Sequence, residues 1–323
     1  MTEEKTSFRW LEYIVLFSMM VLIIALSFML LPFSIFLAVL IPLPVLIATY
    51  RHNMIHGVVI SALASIFFIF FVMDITIVIL IVALATVGIG IGVAMKEKLD
   101  YQKILAVGVV SALITVSLIG LGLYLATGQT PTELFEGTTA QMIEDISSRD
   151  LPNMQLAIDQ VEATIASVRL LFPSLIIIGA VFVAGANFLV GSAVLRRLKM
   201  EDVPSLPPIT NWAFPAWLSI VFLVLWPLSR FSIFPSSIAV IIANLTNVFS
   251  WLLIIQGLSI ILSFMKSVRM PTWIKVLIIL PLWLFGGWFL SLLGALDPWL
   301  RFRGRLSKYQ DELKEQREKN KRN

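Results

Sequence analysis

The stretch ITIVILIVALATVGIGIGVAM, residues 75–95, is almost entirely apolar and contains no charged residue. A helix needs roughly 20 such residues to cross the hydrocarbon layer of a bilayer. Because no water is available there, each span must satisfy its own backbone hydrogen bonds, so a run of this length predicts an α-helix rather than a barrel strand. Similar runs fill most of the chain. We therefore expect an all-α polytopic transmembrane helix bundle with eight or nine spans.

The composition extends this expectation to the whole chain. Of its 323 residues, 59% are hydrophobic and 14% are charged, whereas soluble chains carry about 25% charged residues. There is no cysteine, which excludes disulfides, thiol nucleophiles and cysteine-based metal sites. The lipid bilayer is thus the first partner that the sequence predicts.

The apolar runs divide the chain into parts. Residues 1–200 are expected to form a six-helix membrane bundle with an outer amphipathic hairpin at 129–168. Residues 201–300 are expected to hold the C-terminal membrane helices, and residues 301–323 a charged tail. The predicted spans cover residues 10–31, 33–50, 57–72, 75–95, 104–126, 169–195, 214–228, 235–264 and 274–293. Pro42 and Pro44 predict an irregular second span, because proline lacks a backbone donor.

The distribution of Lys and Arg predicts the orientation, since these residues accumulate on the cytoplasmic side. With the N-terminus inside, twelve basic residues before position 300 are cytoplasmic, and only Arg149, Arg169 and Arg230 are outside. We therefore expect a multi-pass protein of the bacterial cell (plasma) membrane with a cytoplasmic N-terminus. Nine full spans would place the basic tail outside. Segment 276–293 is either a plain pass or a re-entrant hairpin, and the side of the tail stays open.

The predicted hairpin is the largest non-membrane segment. Thr130, Pro131 and Glu133 form a helix-start pattern, and a second amphipathic helix is expected from Met154 to Val168. Seven acids and only one Arg lie between residues 128 and 168. They form either a lid over a pocket for a cationic ligand or an ordinary outward loop from which Lys and Arg are kept away.

Small residues recur at four-residue spacing in several spans, as at Gly57 and Ser61 or at Gly88 and Gly92. Such stripes let helix backbones approach closely in lipid. They provide either a docking face for a membrane-protein partner or packing within the bundle.

Ionisable residues are almost absent from the predicted spans, which argues against proton relays, voltage sensing and cation pumping. The polar side chains at depth are neutral amides: Asn187, Asn244, Asn247 and Gln256. They are our candidate ligand-binding residues, although amides also bond neighbouring helices to one another.

No catalytic or metal-binding motif is found. His52 and His56 are four residues apart, a spacing seen in helical metal sites, but no third ligand is evident, and a polar turn is the preferred interpretation. No phosphate-binding loop and no hydrolase or metalloprotease motif occurs. The mixed charges of the tail favour a solvated helix over contact with phosphate headgroups or nucleic acid. We expect no enzyme activity, no cofactor, no metal and no nucleic-acid partner.

Two motifs carry a resemblance to a known family. One is Gly57-Val58-Val59 after a basic turn, and the other is Leu293-Gly-Ala-Leu-Asp-Pro-Trp299 leading into Arg301-Phe-Arg303. With them the chain resembles the YybS-like family of uncharacterised multi-pass bacterial membrane proteins.

Spans 1–6 also resemble the substrate-binding S-components of energy-coupling factor transporters. That resemblance implies six helices, both ends cytoplasmic and an outward-opening pocket. The first span lacks the Ala-x-x-x-Ala pattern by which such bundles dock on their coupling subunit, and spans 7–9 are additional. We therefore expect a protein similar to a transporter S-component that binds a small solute without catalysis. The alternative is a membrane scaffold or regulatory protein that recruits partner proteins.

Overall fold

The computed structural model describes residues 2–30, 33–148, 154–231, 234–268, 270–302 and 304. Within these ranges every regular element is a helix and no strand occurs, which confirms the all-α fold. The helices are α1 (Thr2–Met29), α2 (Ser34–Ala38), α3 (Leu43–Arg51), α4 (Met54–Val72), α5 (Ile75–Lys96), α6 (Tyr101–Thr127), α7 (Pro131–Ser147), α8 (Met154–Arg197), α9 (Ala216–Leu228), α10 (Ser236–Ser267), α11 (Thr272–Phe285) and α12 (Gly287–Leu300).

Seven segments of the described chain are long and apolar enough to cross a membrane. They are α1 from Trp10, the α2–α3 pair, α4, α5, α6, α8 and α10. The bent pair α11–α12 raises the number to eight if it counts as one span, and α9 is a shorter apolar helix of 13 residues. The protein is thus a membrane protein with multiple apolar helices.

The chain forms two compact units. Unit 1 contains Met1–Ala166 and Ile176–Leu206, and unit 2 contains Ser167–Leu175 and Pro207–Asn323. Helix α8 therefore contributes a segment to each unit. The core of unit 1 is built around α3, whose residues Leu43 to Tyr50 are all buried. The smaller core of unit 2 includes Leu218, Phe222, Leu253 and Ala295.

The second predicted span is broken, as its prolines indicated. Helix α2 ends at Ala38, a turn covers residues 39–42, and α3 begins at Leu43. Pro42 and Pro44 have no N–H to donate, so a continuous ladder of hydrogen bonds cannot form through this segment.

Helix α8 differs from the expectation of two helices that meet near residue 168. Residues Met154–Arg197 form one helix of 44 residues that passes through Pro173. The second helix of the predicted hairpin is thus continuous with the sixth span. The first is α7, where Thr130 and Glu133 form the expected capping box. Residues 149–153, which connect α7 to α8, lie outside the described residues.

The ninth predicted span is not a straight pass. Helices α11 and α12 meet at Gly286 and are bent by 98°. Gly286 and Gly287 provide no side chain to support a continuous helix, and glycine is a common site of sharp helix bends. A bend of this size fits either a broken span or a re-entrant hairpin. Residues 305–323, most of the predicted charged tail, lie outside the described residues.

Candidate functional site

Asn187 lies on α8 within unit 1 and is completely buried. Its Nδ2 donates to the carbonyl oxygen of Val39 at 2.7 Å and to that of Val183 at 2.9 Å. Because both partners are acceptors, the amide cannot be flipped without losing both bonds. Its Oδ1 is buried and has no hydrogen-bond partner among the residues that the structure describes.

The Val39 carbonyl belongs to the turn that separates α2 from α3. Asn187 lies about ten residues before the charged end of α8 at Arg197, which is about 15 Å along a helix. That distance is half of a hydrocarbon layer of about 30 Å. With Arg197 at the membrane surface, this spacing would place the contact between the amide and the broken helix near mid-membrane depth.

The buried neighbours of Asn187 along these two segments are apolar. They include Ile41 and Leu43 in and after the turn, and Ala184 and Phe188 on α8. No charged residue occurs between residues 31 and 50 or between residues 171 and 195. The unpartnered oxygen is thus the principal polar feature of this part of unit 1.

Small residues bring the other helices of unit 1 close to α3. A Cβ atom added to Gly88 would lie 2.5 Å from the Pro42 carbonyl oxygen, and one added to Gly92 would lie 2.7 Å from Thr49 Cβ. A Cβ on Gly191 would lie 2.9 Å from a methyl group of Leu46. These contacts confirm that Gly88 and Gly92 of α5 pack within unit 1. They also bring α5 and α8 close to α3 and the turn before it.

Thr49 on α3 has a second buried oxygen without a partner in the described structure. A Cβ atom on Gly57 of α4 would collide with this Oγ1. The backbone of α4 therefore already occupies the space in front of Thr49. Asn187 Oδ1 is the other buried amide or hydroxyl oxygen of unit 1 without a hydrogen-bond partner in the described structure, whereas Glu12 Oε1 lies 3.1 Å from Arg51 Nε.

Asn244 lies on α10 in unit 2 and uses its whole side-chain amide. Its Oδ1 accepts from the Ser174 N–H at 2.9 Å, and its Nδ2 donates to the carbonyls of Leu170 and Val240, both at 2.9 Å. In a regular helix the Ser174 N–H would bond the Leu170 carbonyl directly. Pro173 disrupts the helix at this position. Asn244 thus bridges an opened turn of α8.

Asn247 contacts the same turn, because its Nδ2 donates to Ser174 Oγ at 2.8 Å. The structure therefore brings Asn244 and Asn247, which are three residues apart, together on one segment of α8. Both side chains bond a neighbouring helix. Their assignment as ligand-binding residues stays a prediction.

Gln256 is buried on α10 and also bonds a helix that contains proline. Its Nε2 donates to the Gly294 carbonyl of α12 at 3.0 Å, and its Oε1 accepts from the Phe214 N–H at 2.9 Å. Pro298 follows Gly294 by four positions, so it cannot supply the helical donor for that carbonyl. The Nε2 of Gln256 donates to the Gly294 carbonyl instead.

A common relation therefore links Asn187, Asn244 and Gln256. Each amide bonds at least one backbone group within four positions of a proline, which is Pro42, Pro173 or Pro298. Sequence reasoning considered the amides and the prolines separately and missed this relation. A signal was present, because each proline at depth leaves a backbone group that needs a partner in lipid.

Charged and aromatic side chains gather at one end of unit 1. Glu12 of α1 lies 3.1 Å from Arg51 Nε and 3.2 Å from His52 Nε2, and Lys96 donates to the His52 carbonyl. The rings of Tyr13, His52 and His56 stack on one another, with the two histidine centroids 4.8 Å apart. The sequence did not indicate that Glu12 reaches His52.

This charged end continues into the connections after α5 and α8. Lys98 Nζ donates to Asp202 Oδ2 at 2.8 Å. That bond lowers the pKa of Asp202 below its ordinary value and raises the pKa of Lys98. Among the described residues, no group of three His, Asp or Glu is placed to hold a metal ion.

Comparison with known proteins gives a family for the chain. The family model with the description "Predicted membrane protein (DUF2232)" matches residues 18–298. No curated protein and no solved structure matches the chain. The narrower resemblances, to the YybS-like family and to transporter S-components, stay predictions.

Proposed function

This chain belongs to the DUF2232 family of predicted membrane proteins, and from that premise we propose that it binds a small solute in unit 1, without catalysis. One observation carries the proposal. Asn187 presents a buried oxygen without a partner in the described structure, beside the broken α2–α3 helix at about mid-membrane depth. Leaving a buried acceptor unsatisfied costs about 1–3 kcal/mol, and a bound solute would remove that cost.

The surroundings of Asn187 support this proposal. Interrupted helices near the bilayer midplane are where many transporters bind their substrates. In unit 1 the interrupted helix α2–α3 is enclosed by α1, α4 and α5 and touches α8 through Asn187 and Gly191. These elements correspond to the part of the chain that resembles an S-component, and we retain the YybS-like resemblance as the narrower family assignment. Asn187 is the first residue of the proposed solute site.

We also propose that the protein lies in a bacterial cell membrane with its N-terminus in the cytoplasm. The contacts at the charged end of unit 1 support one common side for Arg51, Lys96 and Lys98. That side is cytoplasmic by the positive-inside rule. Single cysteines test this arrangement directly, because the chain has none of its own. In right-side-out vesicles a membrane-impermeant maleimide should label Gln129→Cys and leave Glu97→Cys unlabelled.

The solute proposal is tested by a thermal-shift screen of neutral and charged metabolite-sized solutes on the purified full chain. We expect at least one solute to raise the unfolding temperature of the wild type and to lose that effect in Asn187→Leu. If no solute does so, and a protein co-purifies only while residues 304–323 are present, the scaffold function replaces this proposal.

A further inference from the structure

We propose that the solute of unit 1 is neutral and donates an N–H or O–H hydrogen bond to Asn187 Oδ1. This inference rests on the proposed solute-binding function and assigns the chemical class of the solute. It also identifies the protein atom that recognises it.

The requirement for a donor follows from the fixed orientation of the amide. Both Nδ2 hydrogens of Asn187 are used by the carbonyls of Val39 and Val183. What remains at this position is the acceptor Oδ1, next to a backbone carbonyl that is itself an acceptor. A solute with only acceptor groups would gain no hydrogen bond there. A solute with an N–H or O–H group satisfies the buried oxygen.

The requirement for neutrality follows from the absence of charge around the amide. The segments 13–50, 57–73, 75–95, 104–127 and 171–195 contain no charged residue, and Glu12 of α1 pairs with Arg51 at the charged end of unit 1. An ion at this depth would have no counter-charge from these segments, and burying an unpaired charge is far more costly than burying a neutral polar group. The site therefore discriminates against both cations and anions.

Two other polar groups show why Asn187 is singled out. Thr49 Oγ1 is equally buried and has no partner in the described structure, but the α4 backbone at Gly57 closes the space in front of it. Asn244 Oδ1 is already occupied by the Ser174 N–H. Of these three groups, Asn187 Oδ1 is the unused acceptor on an amide whose two donors are already fixed.

The test uses pairs of neutral solutes that differ in their donors. The pairs are acetamide and N,N-dimethylacetamide, benzamide and N,N-dimethylbenzamide, and uracil and 1,3-dimethyluracil. Thermal shift is measured on the full chain in detergent for the wild type, Asn187→Leu and Thr49→Val. The Thr49→Val variant is a matched control, because it removes the other unpartnered oxygen of unit 1 with little change in volume.

We expect the N–H member of at least one pair to stabilise the wild type and Thr49→Val, and its methylated partner to bind roughly tenfold more weakly. Asn187→Leu should abolish the difference.

Equal binding of both members, or a difference that persists in Asn187→Leu, would overturn the contact with Oδ1 and leave solute binding intact. No shift in these pairs, with hits elsewhere in the broader screen, would overturn the assigned class. No hit anywhere would overturn the proposed function itself. If Asn187→Leu does not fold, equal binding of both members to the wild type still overturns the contact with Oδ1.

Discussion

Asn187 in unit 1 and Asn244 in unit 2 have the same side chain and a similar setting, yet their bonding differs. Each lies on a long helix and bonds a neighbouring segment close to a proline, Pro42 for Asn187 and Pro173 for Asn244. Asn244 uses its oxygen and its nitrogen, so the opened turn at Ser174 is fully bridged. Asn187 uses only its nitrogen. The two amides therefore differ in whether the oxygen is bonded, and our proposal assigns solute binding to the one whose oxygen is not.

The largest effect is expected when the fully bonded amide is removed. Asn244→Leu leaves the Ser174 N–H and the Leu170 carbonyl without partners in an apolar environment. Since each unsatisfied group costs about 1–3 kcal/mol, we expect unit 2 to lose about 3 kcal/mol of stability. Thermal unfolding in detergent measures the loss, with Asn247→Leu, which removes a single side-chain bond, as the smaller matched change.

The corresponding variant in unit 1, Asn187→Leu, should lose less stability than Asn244→Leu. Asn187→Leu removes two donated bonds, but Val183 lies within a helix and keeps its backbone donor. The substitution also removes the unpartnered Oδ1. Without solute we expect a loss of only about 1 kcal/mol. Equal losses for Asn187→Leu and Asn244→Leu would contradict the distinction between the two amides.

A second prediction concerns the hydrogen bond that Gln256 donates to the Gly294 carbonyl of α12. Gln256→Leu frees the Gly294 carbonyl and the Phe214 N–H, and we expect it to cost about 2–3 kcal/mol. Pro298→Ala restores the N–H that would bond Gly294 in a regular helix. The double variant should therefore lose less than Gln256→Leu alone. Strict additivity in this cycle, measured by thermal unfolding, would show that Gln256 does not compensate for Pro298.

A third prediction compares two close helix contacts, one in each unit. A Cβ on Gly294 would collide with the Leu253 carbonyl, which belongs to the backbone of α10. Gly294→Ala should therefore cost about 2 kcal/mol through overpacking. In unit 1, Gly191→Ala meets only the flexible end of Leu46, so its cost should be smaller. Gly185→Ala, which has no neighbour within 4 Å, is the control. It should be neutral or slightly stabilising, because alanine favours helix.

Much of the fold could be predicted because lipid leaves few alternatives to a helix. The predicted bounds of α5 differ from the structure by one residue, and the capping box at Thr130 and the break at Pro42 follow from local rules. The continuity of α8 could not be predicted, because Pro173 normally favours a helix end. It is tolerated here through Asn244, which bonds Ser174 from 70 positions away.

The hydrogen bonds of the candidate residues were also hard to predict, because they join residues that are far apart in the sequence. Asn187 meets Val39 across 148 positions of sequence, and Glu12 meets Arg51 through the packing of α1 on α3. Composition identifies the deep amides as polar groups that need partners. It does not identify which oxygen remains unused, because that depends on where each neighbouring backbone is interrupted.

The smallest effect is expected at the exposed pair Lys98 and Asp202, which provides a baseline for the buried contacts. Lys98 holds the pKa of Asp202 below its ordinary value. The stabilisation is therefore present at neutral pH and is lost as the pH falls through that lowered pKa. Because both side chains are largely exposed and the pair is screened by salt, Asp202→Asn should hardly change the unfolding temperature at pH 7. Any difference from the wild type should disappear at acidic pH. A loss at pH 7 as large as that of Asn244→Leu would show that the charged end, rather than the buried amides, stabilises the fold.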